Sequence, residues 1–283
     1  MAPVTDAESV IAHVESLPPL PAATQRLLVL TSLPPDRADM VEISNVITHE
    51  PALAALALKW VNSPLYGLRV EVRNVRQAVA LMGLRTIRNM VLGMEVNNMT
   101  SAGLHGYGMS AAVFSQHAMA TATACQRLAE RYMPALHDEA FTLGLLHDIG
   151  MLLLDPLVKE YRDQFMEGLR TGQPQEAVER DLFTIDHCAL GARVLESWNL
   201  PGETAEYIAL HHSPLSEETP ALVILLRVAD SITEAPFAER LGHSPTPDRD
   251  ACAALGISFE ELQSLQAHLE ASLEGAVSLF SGR

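Results

Sequence analysis

The 283-residue sequence has few cysteines and no long uninterrupted apolar run. Its three cysteines, Cys125, Cys188 and Cys252, lie far apart and form no CxxC pair. This spacing excludes a zinc knuckle and a disulfide framework, and it fits a reducing compartment. No stretch reaches the roughly 18 apolar residues that a membrane span needs, and the acidic start MAPVTDAESV lacks the apolar region of a signal peptide. We therefore expect a soluble cytoplasmic protein that makes no contact with a membrane.

Positive charge is also scarce. The chain has 19 Lys and Arg residues against 35 Asp and Glu residues, a net charge of −16, and lysine occurs only at Lys59 and Lys159. Because neutralisation of phosphates supplies most of the non-specific affinity for nucleic acid, this balance argues against DNA as a partner. Any phosphate-containing ligand would need a local positive site.

Helix signals, by contrast, are abundant. The segments TDAE at 5–8, DMVE at 39–42 and SFEE at 258–261 each have the spacing of a capping box. Pro21 and Pro51 stand where helices can begin, and each precedes an Ala- and Leu-rich stretch with high helix propensity. Together with a hydrophobic content of 48%, these signals predict an all-α fold, a multi-helix bundle with a substantial core.

Three segments are expected along the chain. A glycine-containing stretch at 97–110 interrupts the helical pattern, so we place a boundary there, between a helical subdomain at 1–108 and a second helical subdomain at 109–236. A loop and an amphipathic helix occupy 237–283. Strand-like alternation is confined to LRVEVRNV at 68–75.

The last helix carries one apolar stripe, formed by Leu262, Leu265, Leu269 and Leu273 and continued by Ala276 and Phe280. Two roles for this stripe stay open. The helix packs onto the preceding helical body, or it forms a homodimer or links this chain to another domain.

An acidic side chain stands in an unusual place within LGLLHDIGMLLLD at 143–155. Burial of an unpaired carboxylate costs several kcal/mol, so the His-Asp pair in this apolar run needs a partner. Four further histidines and one aspartate are spread over the segments that follow and precede it. The candidate set is His117, His147, Asp148, His187, His211, His212 and Asp230.

Each candidate has an ordinary structural explanation when taken singly. His117 fits a hydrogen-bonded core histidine, Asp230 fits an ion pair with Arg227, and the pair His211-His212 fits a solvated helix terminus. Five imidazoles and two carboxylates on successive helices are, however, the ligand types that Mn, Fe, Co, Ni and Zn sites use. The set as a whole therefore predicts a divalent metal as the partner of Asp148.

The order of these residues resembles the HD superfamily of metal-dependent phosphohydrolases. His117, His147, Asp148 and Asp230 match the four-residue signature of that superfamily. The additional His187 and the pair His211-His212 are similar to the second-metal ligands of its HD-GYP branch. The resemblance implies two ions bridged by Asp148.

The flanking sequence resembles a more specific relative, the HDOD domain. The similarity is carried by LPPLPAATQRLLVL, VRQAVALMGLRTIRNMVLG, LGLLHDIGMLLL and VLESWNLPGETAEYIALHHSP, and it covers roughly residues 12–235. This resemblance implies an all-helical bacterial signalling module, often attached to receiver or cyclic-dinucleotide domains, with no generally established catalytic activity.

Three functions compete on these grounds. The HD resemblance implies a phosphohydrolase that activates water for attack on a nucleotide or another phosphoester. Against it, Met151 follows HDIG where many active HD hydrolases have lysine, and the insertion that carries the GYP signature is missing after His212. We therefore expect a non-catalytic signalling module with one or two ions of Fe, Mn, Ni or Zn. The phosphohydrolase is the alternative, and a scaffold with a vestigial cluster is the third.

Arginines are concentrated in one segment of this acidic chain, at Arg69, Arg73, Arg76, Arg85 and Arg88. They either brace short helices and pair with carboxylates, or they form a docking surface for an acidic signalling protein, a nucleotide or an attached regulatory domain. A helix-turn-helix around ALMGLRTIR is a weaker option, because the charge of the whole chain opposes DNA binding.

Overall fold

The computed structural model describes residues 20–63, 68, 70–198, 200, 202–234, 247–258 and 260–266. Within these ranges the regular elements are helices, and the only β feature is an isolated bridge between Leu104 and Met109. The expected all-α class is therefore confirmed. In chain order the α-helices are α1 (Ala22–Thr31), α2 (Met40–His49), α3 (Pro51–Val61), α4 (Val75–Met99), α5 (Ala111–Tyr132), α6 (His137–Leu146), α7 (Ile149–Glu160), α8 (Arg162–Arg170), α9 (Gln175–Phe183), α10 (His187–Ser197), α11 (Gly202–Leu210), α12 (Ala221–Thr233) and α13 (Arg249–Leu255).

The described chain divides into two units, one that ends at Asn98 and one that begins at Met99. The first contains α1 to α3 and nearly all of α4, and the second contains α5 to α13. The division falls at the start of the glycine-containing segment 97–110. All seven candidate metal ligands belong to the second unit.

Helix starts in the first unit follow the capping signals. The Asp39 carboxylate accepts hydrogen bonds from the backbone N–H groups of Val41 and Glu42, at 2.9 and 3.0 Å, and so caps α2. Glu42 does not complete the box, because its carboxylate pairs with Arg26 on α1. Pro51 is the first residue of α3. The box predicted at 5–8 lies outside the described residues.

The strand-like stretch at 68–75 forms no strand over its described positions, which exclude residue 69. The Asn62 side chain takes the place of a neighbouring strand there: its amide donates to the Val72 carbonyl at 2.8 Å, and its oxygen accepts from the Val72 N–H at 2.7 Å. Further along, Gly83 interrupts α4 with φ +74°, a left-handed conformation that glycine adopts readily. The turn-like glycine in ALMGLRTIR is thus a kink between two helical stretches.

Two glycines in the second unit bring the helices around the His-Asp pair unusually close. A Cβ atom on Gly144 would lie 2.7 Å from the Thr121 carbonyl oxygen and 2.8 Å from the Ala122 Cα, so α6 packs directly on the α5 backbone. A Cβ on Gly150 would meet the backbone of α10 in the same way, 2.7 Å from the Gly191 nitrogen. The His-Asp pair between these glycines is therefore held between α5 and α10.

Among the described residues, one helical stretch is long and apolar, Pro134–Glu160, which spans a short 3-10 turn, α6 and α7. It has the length and hydropathy of a membrane span, but 72% of its most apolar window is buried inside the protein. The break between α6 and α7 falls at His147-Asp148. These properties are those of core helices in a soluble-protein-like fold.

The capping box at 258–261 is formed in full. The Ser258 N–H donates to the Glu261 carboxylate at 2.9 Å, and the Glu261 N–H donates to the Ser258 hydroxyl at 3.3 Å. The helical residues 260–266 that follow place Leu262 in the core, and Glu261 pairs with Arg131 on α5. This part of the stripe packs on the helical body. The predicted stripe beyond residue 266 lies outside the described residues.

Candidate metal centre

Six helices of the second unit position the seven candidate ligands. His117 lies in the middle of α5, His147 and Asp148 form the junction of α6 and α7, and His187 begins α10. His211 and His212 follow the last residue of α11, and Asp230 lies near the end of α12. The structure brings all seven into one largely buried cluster.

The first group within the cluster consists of His117, His147, Asp148 and Asp230. The Nε2 atoms of His117 and His147 lie 3.1 Å apart. Asp148 Oδ2 is 3.4 Å from the first of these atoms and 3.2 Å from the second, and Asp230 Oδ1 is 3.2 and 3.3 Å from them. Ligand atoms held about 2.0–2.1 Å from one ion lie about 2.8–3.4 Å apart for right-angle to tetrahedral arrangements. The group therefore has the dimensions of a metal site.

The second group surrounds the other oxygen of the same carboxylate. Asp148 Oδ1 is 3.5 Å from His187 Nε2 and 3.8 Å from His211 Nε2. The His212 ring centre lies 4.1 Å from that of His211 and 5.3 Å from that of His187. Asp148 thus directs one oxygen to each group, which is the arrangement of a carboxylate that bridges two ions.

Four of the histidines have their Nδ1 atoms engaged away from the centre. His147 Nδ1 lies 2.8 Å from the Gly144 carbonyl oxygen, His211 Nδ1 2.6 Å from that of Ile208, and His117 Nδ1 3.3 Å from that of Thr233. A carbonyl only accepts, so Nδ1 carries the proton and Nε2 of the neutral ring presents a lone pair. His187 is oriented in the same way by a carboxylate.

That carboxylate belongs to Glu179 on α9, a functional residue that the sequence analysis did not identify. Glu179 is fully buried, and its Oε2 accepts from His187 Nδ1 at 2.6 Å and from the His187 N–H at 2.8 Å. Its Oε1 accepts from the Tyr107 hydroxyl at 2.9 Å and from Gln175 Nε2 at 3.1 Å. Glu179 therefore fixes both the ring and the backbone at the start of α10.

We expect Glu179→Gln to weaken metal binding at the second group by roughly 10–100-fold, the usual effect of losing such an outer partner. The glutamine amide is neutral, so it loses the negative charge that holds the His187 imidazole, and it offers one acceptor oxygen where the carboxylate accepts with two. Isothermal titration of the metal-stripped protein measures the change. Glu167→Gln on the exposed face of α8 is the matched control, and equal affinities in the two variants would contradict this role.

Opposite charges stabilise one another inside the cluster. Burial alone would raise the pKa of the Asp148 carboxyl, but the imidazoles of His147, His117 and His211 lower it well below its usual value. The pKa of Asp230 is lowered for the same reason, by His117 and His147. Burial would in turn lower the pKa of His147, but the two carboxylates raise it well above its usual value. The cluster therefore favours positive charge at its centre.

His212 differs from the other histidines in its electrostatics. Burial lowers the pKa of its imidazole well below the usual value, and the neighbouring His211 and His187 lower it further. The ring is therefore neutral, which is the state that binds a metal.

A cavity of about 470 Å³ lies against the cluster. Its lining includes five of the seven candidate ligands: His117, Asp148, His187, His212 and Asp230. Glu234, at the end of α12, also lines it, and burial together with the nearby Asp230 raises the pKa of this carboxyl to about 7. A small ligand in this cavity would therefore contact both groups of the cluster.

The arginine segment belongs to the first unit, and its members have different surroundings. Arg73 pairs with Glu71, and both are exposed. Arg88 Nη2 donates to the Thr31 carbonyl at 2.6 Å and to the Ser32 hydroxyl at 3.0 Å, so it braces the end of α1. Arg76 and Arg85 are exposed on α4. Arg69 lies outside the described residues.

Comparison with protein families finds one matching domain. A family model described as HDOD domain matches residues 17–214, which is more than half of the chain. Among curated proteins, an uncharacterized protein of Treponema pallidum (strain Nichols) is 22% identical over 214 residues. These residues make up 73% of this chain but 40% of that protein, so the chain spans less than half of the relative's length.

Three solved structures share the fold. A Shewanella amazonensis SB2B protein, provisionally named a phosphohydrolase, superposes with a TM-score of 0.74 at 24% identity, over 96% of this chain and 97% of that one. An HDOD domain protein of unknown function from Geobacter sulfurreducens gives 0.72 at 19%, over 98% and 99%. A Marinobacter aquaeolei VT8 protein, provisionally named for signal transduction, gives 0.75 at 23%, over 97% and 64%. At these identities the likeness establishes the fold.

Proposed function

Since the chain belongs to the HDOD domain family, we propose that it is a bacterial signal-transduction module that binds one or two divalent metal ions without catalysing a reaction. One observation carries the proposal. Four imidazole Nε2 atoms, on rings whose Nδ1 atoms are engaged elsewhere, converge on the carboxylates of Asp148 and Asp230. Lone pairs and negative oxygens at these distances are held together best by a cation.

The donor set defines which residues would hold the ions. His117, His147, Asp148 and Asp230 would bind the first, and His187, His211 and His212 would bind the second, with Asp148 between them. Imidazole and carboxylate ligands suit Fe, Mn, Ni and Zn. A bound ion would offset the charge of two largely buried carboxylates, which is what the His-Asp pair in an apolar run needs.

The charge of the cavity supports a non-catalytic role. Among the described residues that line it, Arg227 is the only lysine or arginine, and its guanidinium already bonds Asp248 and the Ser213 carbonyl. Met151 occupies the position after HDIG and also lines the cavity. Phosphoryl transfer requires positive groups around the phosphate, and Glu176 opposes an anionic substrate here.

Elemental analysis of the protein, purified without chelator or a metal-binding tag, tests the proposal. We expect near-stoichiometric or twofold Fe, Mn, Ni or Zn in the wild type, and its loss in Asp148→Ala. A protein that holds no metal, even after reconstitution with each ion, would contradict the proposed metal site.

A metal-dependent phosphohydrolase is the second candidate. The cavity against both groups, and the two-sided placement of Asp148, favour it. Bound ions would supply Lewis acidity at the phosphorus, while Glu234 would hold a proton at the cavity wall. Turnover of nucleotides or phosphodiesters by the metal-loaded protein, lost in Asp148→Ala, would establish this activity in place of the non-catalytic role.

The proposal includes a cytoplasmic location and a protein partner, either a signalling protein or an attached regulatory domain. None of the three cysteines forms a disulfide, as is usual in a reducing compartment. Arg76, which is exposed on α4, is a basic side chain that an acidic partner or a nucleotide would contact.

A further inference from the structure

We propose that Cys188 is a thiolate ligand of the second metal group, which adds one sulfur to the three imidazoles and the Asp148 oxygen of that group. This inference rests on the proposed metal binding, and it adds a ligand type that the His and Asp pattern of the sequence does not contain. It also means that the two groups of the cluster prefer different metal ions.

The geometry places Cys188 inside the group. Its Sγ lies 3.5 Å from His187 Nε2 and 3.9 Å from His211 Nε2. One ligand atom from each of His187, Cys188, His211 and His212 lies within 4.8 Å of all the others. With metal–sulfur and metal–nitrogen bonds of about 2.3 and 2.0–2.1 Å, an angle of about 110–120° at the ion separates sulfur from nitrogen by about 3.6–3.8 Å. The observed distances of 3.5 and 3.9 Å lie close to the two ends of that range.

A hydrogen bond donated by a neutral Cys188 thiol would explain only one of the two sulfur–nitrogen contacts, whereas a metal ion would explain both. His187 donates through Nδ1 to Glu179 and His211 donates through Nδ1 to the Ile208 carbonyl, so in the neutral rings both Nε2 atoms present lone pairs toward the sulfur. One thiol proton can bond one of these two nitrogens. A cation bonds both nitrogens and the sulfur together.

Because Cys188 is buried, its thiol can bind only an ion that is held inside the cluster. The Cys188 residue is 2% exposed, so it is sheltered from bulky reagents and from chance metal binding at the surface. Thiolate is a soft ligand that favours Zn(II), Co(II) and Fe(II) over Mn(II). The first group offers nitrogen and oxygen only. We therefore expect Zn(II) to be retained at the second group when Mn(II) exchanges at the first.

Cobalt substitution tests the proposal on the full chain. The metal-stripped protein is titrated with Co(II), and a near-ultraviolet thiolate-to-cobalt charge-transfer band is expected as the second group fills. The band should vanish in Cys188→Ser and persist in Cys252→Ser, the matched control on α13. Zn(II) affinity at one of two sites should fall in Cys188→Ser by more than the roughly 10–100-fold typical of an outer partner.

The outcomes separate this inference from the proposed function. A wild-type protein that binds no Co(II) would overturn the proposed metal site itself. A protein that binds Co(II) without a charge-transfer band, and with the same Zn(II) affinity in Cys188→Ser, would overturn the thiolate ligand alone. The wild-type spectrum decides between them even if the serine variant fails to fold.

Discussion

Asp148→Ala will remove both metal ions from a protein loaded with two, whereas His117→Ala will remove one. Asp148 directs Oδ2 to His147 at 3.2 Å and Oδ1 to His187 at 3.5 Å, so it belongs to both groups. His117 contacts the first group only, through His147, Asp148 and Asp230. The metal-to-protein ratio is measured by elemental analysis after removal of loosely bound ions. It should fall from about two to about zero in Asp148→Ala, and from about two to about one in His117→Ala.

His212→Ala completes the comparison, because it should release the ion of the second group and leave that of the first. Asp163→Ala on the exposed face of α8 is the matched control, and it should retain both ions. The bridging role would be refuted if Asp148→Ala kept one ion as firmly as His117→Ala does. Near-native helical circular dichroism in each variant separates loss of metal from loss of fold.

The all-α class could be predicted from the sequence because helix caps depend on residues that are close together in the chain. Asp39 and Ser258 cap helices through hydrogen bonds to residues two or three positions away, so the sequence pattern alone identifies them. The alternation at 68–75 is typical of a strand, but no strand forms over its described positions. Alternation alone does not indicate whether a partner strand is present. There the pairing of Val72 with the side chain of Asn62 is a tertiary contact that periodicity does not encode.

The candidate ligands could be named from residue type and order, but their partners could not. The sequence left Asp230 in competition with Arg227 as an ion-pair partner. In the structure Arg227 binds Asp248, and Asp230 faces His117 and His147. That choice depends on a residue 21 positions from Arg227 in the chain, which no helical spacing predicts.

Glu179 and Cys188 were missed for separate reasons. QEAVERDLF on α9 places Glu179 beside two other acidic residues, and nothing in that pattern marks it as the buried one. Cys188 adjoins His187, and neighbours at i,i+1 on a helix do not normally share a face. At the first turn of α10 both side chains nevertheless reach His211, because the turn packs against the end of α11. Such convergence is visible only in three dimensions.

Gly150→Ala will destabilise the protein by about 3 kcal/mol, the upper end of the usual cost of overpacking. A Cβ at position 150 would clash with the His187 carbonyl oxygen. It would also lie 2.7 Å from the Gly191 nitrogen and 2.8 Å from the His187 carbonyl carbon. These are backbone atoms, which cannot rotate away as a side chain does. Relief requires α7 and α10 to separate, and urea unfolding monitored by circular dichroism measures the loss.

Gly191→Ala, on the facing helix, is the matched control. Its Cβ would meet the Ile208 Cγ2 atom at 3.2 Å and the Gly150 nitrogen at 3.3 Å, so small shifts accommodate it. Alanine also gains up to about 1 kcal/mol in helix propensity over glycine, and we expect unfolding within about 1 kcal/mol of the wild type. Similar midpoints for the two variants would contradict the close approach at Gly150. Because separation of α7 from α10 moves His187 away from Asp148, the folded fraction of Gly150→Ala should lose the second ion before the first.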